Sequence, residues 1–161
     1  MMGRALLVVG WVGTLGLLGS AAIGFTIEAG GGGNSLSTHL LLALLSSLLI
    51  LFSHSWIMFY LIGTGKAIKE AVAEHDLNLD YVEKTKEFKN KCYPWLMFAM
   101  GITMATFILG GGVYAGVIPP WLHQGLFYAT LAIQLKTLFI SGSILKENEQ
   151  LMRTIDRGLT S

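Results

Sequence analysis

The stretch that decides the fold is SLSTHLLLALLSSLLILFSHSWIMFYLIGTGK, Ser35 to Lys66. From Leu40 to Ile62 it holds no Asp, Glu, Lys or Arg. That run exceeds the roughly 20 apolar residues a helix needs to cross a bilayer. Two histidines interrupt it, His39 at its start and His54 further along. An imidazole inside an apolar span needs a polar partner or a function.

Outward from this stretch the same pattern repeats. The chain of 161 residues is 53% hydrophobic and 13% charged. Soluble domains carry about 25% charged residues, so the composition is that of an all-α integral membrane protein. Four spans are expected, at about 5–27, 36–65, 93–117 and 121–145. The first is longer than the apolar core of a signal peptide and is expected as a retained span. The glycine run Gly30 to Gly33 breaks the chain before span 2, with Asn34 or Ser35 available as a cap. Pro94 suits the first turn of span 3, and Pro120 the start of span 4.

Residues 66–92 are of another kind, with six lysines and six acids. Span 2 is expected to run on as a helix beyond the bilayer, break near Leu77-Asn78-Leu79, and give way to a second short helix capped by Asn78 or Asp80. A polar tail, 146–161, ends the sequence. Arg4, the lysines of 66–92, and Lys146, Arg153 and Arg157 all fall on one side of the spans. The positive-inside rule makes that side cytoplasmic, with both termini there, in a cell inner (cytoplasmic) membrane. A single membrane domain results, an up-down-up-down four-helix bundle.

The two halves share a layout. Each has a glycine cluster (Gly30–Gly33, Gly110–Gly112), a turn, and a histidine early in the next helix (His39, His123). A duplicated helical hairpin about an axis along the membrane normal would bring these two histidines to one depth. Below His39, positions 46 and 53 are serines and 43 is alanine; below His123, positions 130, 137 and 141 are Thr, Thr and Ser, with Gln134 beside them. Gly16, Ser20 and Gly24 form a row of small residues on span 1, which serves helix packing or clears space for a flat cofactor. Bis-histidine ligation of a b-type haem requires two imidazoles at one depth with space between, so His39 and His123 are the expected haem-iron ligands, near the non-cytoplasmic face. The layout resembles that of four-helix cytochrome b anchors, without a shared motif. Glu28 with the two histidines offers an alternative non-haem iron, copper or zinc site.

His54 lies about 22 Å along the helix from His39. Spans 1 and 3 hold no histidine to pair with it, although Met97, Met100 and Met104 on span 3 are potential ligands to a second haem. A quinone or proton site formed with Ser53, Ser55, Trp56 and Tyr60 is a further reading. The plainest is a hydrogen bond to a neighbouring helix or subunit, and with no partner histidine in the chain His54 is expected to face outward. Lys136 is expected to snorkel. His75 is expected to be solvated, and the lone Cys92 excludes an internal disulfide.

No hydrolase elbow, P-loop, dinucleotide fingerprint or HExxH motif occurs, so catalysis by this chain alone is disfavoured. The leading expectation is a membrane subunit of an electron-transfer complex holding one haem b. The second is a cofactor-free accessory subunit that packs on other membrane subunits or on copies of itself, its Lys/Glu segment docking a cytoplasmic component. The third is a small transporter or channel using the serines, threonines, Gln134 and His54 as a polar line. Lipid is the surrounding partner in every case, and nothing points to nucleic acid.

Overall fold

A computed structural model describes residues 2–28 and 33–160. Four α-helices account for nearly all of them: α1 (Met2–Glu28), α2 (Gly33–Glu74), α3 (Asp80–Tyr114) and α4 (Pro120–Thr160). Each is long and apolar enough to cross a membrane. The outward faces carry large apolar side chains such as Val12, Leu45, Phe59, Ile108 and Phe139.

The helices run up, down, up and down. Gly10 on α1 lies against Ser53 on α2, and Gly24 against His39, so α1 and α2 are antiparallel. The hydroxyl of Thr106 on α3 meets that of Thr130 on α4, while Thr137 reaches back to the Trp95 carbonyl. The α3–α4 pair is therefore antiparallel as well. Contacts join α1 to α2, α2 to α3, α3 to α4 and α4 to α1, with a thinner diagonal contact from α2 to α4. Two antiparallel hairpins thus meet with α2 and α4 nearest the bundle axis.

The helices outrun the expected spans. At 42 residues α2 is about 63 Å long, twice the roughly 30 Å of a hydrocarbon core. The expected short helix after residue 79 is instead the beginning of α3. It continues through Pro94, which lies inside the helix rather than at its start. Proline deletes one backbone hydrogen bond, but Thr85, Phe88, Cys92 and Leu96 are buried on both sides of it and hold the helix in place. Residues 146–160 are likewise not a loose tail but the last turns of α4. Leu151 and Ile155 pack there with Ile68, Val72 and Phe88. The charged segments therefore form a three-helix extension with its own apolar core and a solvated Lys/Glu surface.

Helix ends follow their local chemistry. α2 closes with Asp76 in the left-handed region (φ 50°) and the Leu77 N–H bonded to the Val72 carbonyl at 3.1 Å. α3 closes the same way on Gly116 (φ 72°), where Val117 N–H bonds Gly112 O at 3.0 Å. This is the glycine-type C-cap, and Pro120 then opens α4. Asn78 Oδ1 accepts the Asp80 N–H at 2.9 Å, satisfying a free donor at the start of α3. The N-cap position itself is Leu79, which makes no side-chain bond, rather than Asn78 or Asp80. Asn78→Ala removes one exposed hydrogen bond and is expected to lower stability by about 0.5 kcal/mol, measured as a reduced thermal midpoint in detergent, with the absorption properties of the protein unchanged.

Packing differs between the two ends. In lipid, helices gain little from burying apolar area, so close backbone approach and hydrogen bonds carry association. Gly13 brings α1 so near α2 that an added Cβ would meet the Ser46 carbonyl at 3.0 Å. The Ser53 hydroxyl donates to the Leu6 carbonyl at 2.7 Å. Towards the charged end the core becomes apolar, with Ile57, Leu61, Leu96 and Ile144 buried together. There Glu149 pairs with Arg153 of its own helix at 2.6 Å and with Arg4 of α1 at 3.6 Å. The hydrogen bond from Arg153 holds the Glu149 carboxyl below its ordinary range, helped by the charge of Arg4.

Candidate functional site

At the end of the bundle nearest the α1–α2 and α3–α4 connections, the hairpins part around a cavity of about 300 Å³ lined by all four helices. His39 and His123 both line it. Phe25, Phe107, Phe127 and Tyr128 supply aromatic walls, while Ala43, Ser47, Thr103 and Thr130 keep the floor small.

The two imidazoles are held in matching ways. His39 on α2 lies over Gly24 of α1, where an added Cβ would sit 3.2 Å from its Cε1. His123 on α4 lies over Gly110 of α3, with the corresponding distance 3.0 Å. Gly110 follows Gly24 by 86 residues and His123 follows His39 by 84. The pair of hairpins therefore repeats the same histidine-on-glycine contact. The row Gly16, Ser20, Gly24 splits its duty accordingly. Gly16 lets α1 pack against Ser46, whereas Ser20 and Gly24 seat the His39 ring.

The His39 tautomer follows from its surroundings. Nδ1 lies 2.7 Å from the Ser20 carbonyl oxygen, which can only accept, so Nδ1 carries the proton. The Ser20 hydroxyl in turn donates to the His39 carbonyl at 3.0 Å. Nε2 is left with a free lone pair. Metal-bound histidines have this arrangement, donating the other ring N–H to a carbonyl that fixes tautomer and orientation. In the second hairpin Thr106 takes the place of Ser20, 86 residues later. His123 Nδ1 is buried facing the Thr106 backbone without closing a hydrogen bond of good geometry. The Glu28 side chain, a third ligand in the non-haem alternative, lies outside the described residues. Among the described residues no three His, Cys, Asp or Glu side chains converge.

His54 does not face outward. It is fully buried, and its Nε2 donates to Gln134 Oε1 of α4 at 3.1 Å across the bundle axis. An uncharged ring in this core needs a hydrogen-bond partner, and the chain itself supplies one. The signal was in the sequence, since Gln134 falls on the same small-residue stripe as Thr130 and Thr137, but pairing it required the diagonal approach of α2 and α4. The residues grouped with His54 as a quinone or second site do not converge. Ser53 is bonded to α1, Trp56 stacks outward on Phe52, and Tyr60 lies beside Gly3 and Leu145. Nor does span 3 offer a methionine: Met97 and Met104 are exposed, and Met100 accepts a hydrogen bond from Ser55.

The remaining candidates have plain roles. Lys136 sits 3.8 Å above the Trp95 ring, a cation–π contact between α3 and α4. Cys92 is buried beside the Ser141 hydroxyl, and His75 is exposed. The polar line proposed for transport is all buried, yet Ser53, Thr130 and Thr137 donate to helix carbonyls and serve as interhelical or intrahelical ties.

Gln134→Leu strands the His54 N–H. Interhelical hydrogen bonds in membranes are worth about 0.6 kcal/mol on average and up to about 1.7, so a loss of about 1 kcal/mol is expected. Pairing it with His54→Leu is expected to recover most of that, because removing both partners leaves nothing unsatisfied. A double-mutant cycle of unfolding in mixed micelles measures both.

Comparison with protein-family models, with curated proteins and with solved structures finds no match to this chain.

Proposed function

We propose that this chain is an electron-transfer subunit of a cytoplasmic membrane that would carry one b-type haem in the cavity, held by His39 and His123. The observation that carries the reading is the matched seating of the two imidazoles. Each is on the inner helix of its hairpin, each lies over a glycine of the outer helix, and both face one cavity.

The donor set fits the group. With Nδ1–H given to the Ser20 carbonyl, the neutral His39 ring keeps its lone pair on Nε2, the atom that would hold the iron. Phe25, Phe107, Phe127 and aliphatic side chains on its wall offer apolar contact for a macrocycle. Haem would supply a one-electron couple at its iron, and His39 and His123 would hold it. The protein's own part is to fix ring orientation through Ser20, to admit close approach at Gly24 and Gly110, and to keep the dielectric low around the couple. The distribution of lysine and arginine supports a topology with both termini and the three-helix extension on the cytoplasmic side and the cavity near the opposite face. The Lys/Glu surface of that extension is where a cytoplasmic or membrane-bound partner subunit would dock.

Electron paramagnetic resonance of the oxidised, purified protein tests the ligation. A low-spin ferric signal of the bis-imidazole type is expected. A purely high-spin signal, from haem with one or no histidine ligand, rules out the paired assignment.

A further inference from the structure

Among the described residues five buried side-chain atoms make no hydrogen bond: Ser47 Oγ, His54 Nδ1, His123 Nδ1, Gln134 Nε2 and Asn148 Nδ2. Buried polar atoms are nearly always bonded, to protein or to ordered water. Three of the five step inward from the cavity. Ser47 is on its floor, together with Thr130. His54 follows Ser47 by seven residues, two turns further on the same face of α2. Gln134 follows Thr130 by one turn on α4 and already bonds His54.

Their chemistry is complementary. With Nε2–H given to Gln134, the His54 Nδ1 is an acceptor. The Gln134 amide nitrogen brings two N–H donors, and the Ser47 hydroxyl can do either. A water molecule between them satisfies a donor on one side and an acceptor on the other. One turn beyond His54 and Gln134 the buried side chains carry no polar atom, Ile57 at 0% and Leu138 at 1% exposed with Leu61 below them at 2%, so nothing there holds a water. Asn148 is past this closure, beside Thr64.

We propose that the cavity floor continues as a short file of ordered water ending at the His54–Gln134 pair, a blind inlet open only on the cavity side. The inlet places an unprotonated ring nitrogen of His54 in contact with water that enters through the cavity. The inlet is a property of the haem-free chain and does not rest on the haem assignment.

Water-edited solid-state NMR of the full-length, ¹⁵N-histidine-labelled protein in phosphatidylcholine bilayers is the test, with resonances assigned by single-histidine replacements. Magnetisation is expected to pass from water to the His54 ring nitrogens, with Nδ1 at the position of an unprotonated, hydrogen-bonded nitrogen. Ser47→Leu fills the floor and is expected to abolish that transfer, while transfer to exposed His75 is kept. Ser47→Val is the smaller replacement if leucine prevents folding. Absence of transfer to His54 in the wild-type protein overturns the proposal. So does undiminished transfer in a folded Ser47 variant, which would mean that water arrives from the opposite end. Because the protein is measured without haem, neither result bears on the ligand assignment.

Discussion

Replacing either His39 or His123 by alanine is expected to abolish low-spin haem in the purified protein while leaving the helix content unchanged. Both rings line the cavity, and each is held by its own hairpin, so removal of one leaves the other in place but alone. Loss of a residue that merely orients a metal ligand costs about 10- to 100-fold in affinity. Loss of the ligand itself should exceed that, enough to strip haem during purification. The comparison is His75→Ala, which removes an exposed imidazole of the extension and should keep the full spectrum. Circular dichroism at the same protein concentration checks that the alanine variants still form the four helices. A Soret band of wild-type height in either variant would remove that histidine from the assignment.

The second large effect falls on two glycines. In Gly24→Leu and Gly110→Leu the new Cβ would lie 3.2 Å and 3.0 Å from the Cε1 of the facing imidazole, before the rest of the side chain is added. Either the ring leaves its seat or the hairpin spreads, and overpacking of this kind costs typically about 1–3 kcal/mol. Turning the ring also breaks the His39 bond to the Ser20 carbonyl, and with it the tautomer that leaves Nε2 free. Both variants should lose haem at nearly the level of the histidine replacements. Gly101 and Gly111 provide the contrast, because an added Cβ meets nothing within 4 Å at either. Alanine there should keep haem and, in mid-helix, stabilise by roughly 0.5–1 kcal/mol. Haem-to-protein ratios from absorbance across the four variants measure the difference.

Much of the bundle was readable in the chain because lipid imposes simple rules. Uncharged runs longer than a bilayer is thick must be helices. Leu40–Ile62 needed no more than that. The extension was harder. The expectation of a short helix, then Pro94, then span 3 follows local punctuation, whereas α3 runs unbroken from Asp80 because Thr85, Phe88 and Cys92 are buried on the far side of the proline. Tertiary burial overrode a breaker, and no local pattern reports that. Likewise residues 146–160 read as polar, although Leu151 and Ile155 recur at helical spacing and complete the extension's core.

The same division applies at the cavity. The likeness of the two halves was legible as a glycine cluster followed by a histidine. The glycines that matter are not in those clusters alone. Gly24 lies before the first cluster and acts through the ring it seats, which only the antiparallel register of α1 on α2 reveals. For His54 the expected hydrogen bond to a neighbouring helix is present, but its partner was sought outside the chain for a related reason. Periodicity gave its face of α2, but the neighbour on that face is α4 across the axis, and the partner is an amide rather than a second histidine.

The most direct measurement is the absorption spectrum of the wild-type protein, purified after expression with haem in ample supply, before and after dithionite. The expected result is a sharp Soret band that shifts on reduction, with resolved α and β bands of a six-coordinate b-type haem at one per chain. A folded, colourless protein, monodisperse and four-helical, contradicts the assignment of His39 and His123 as haem ligands.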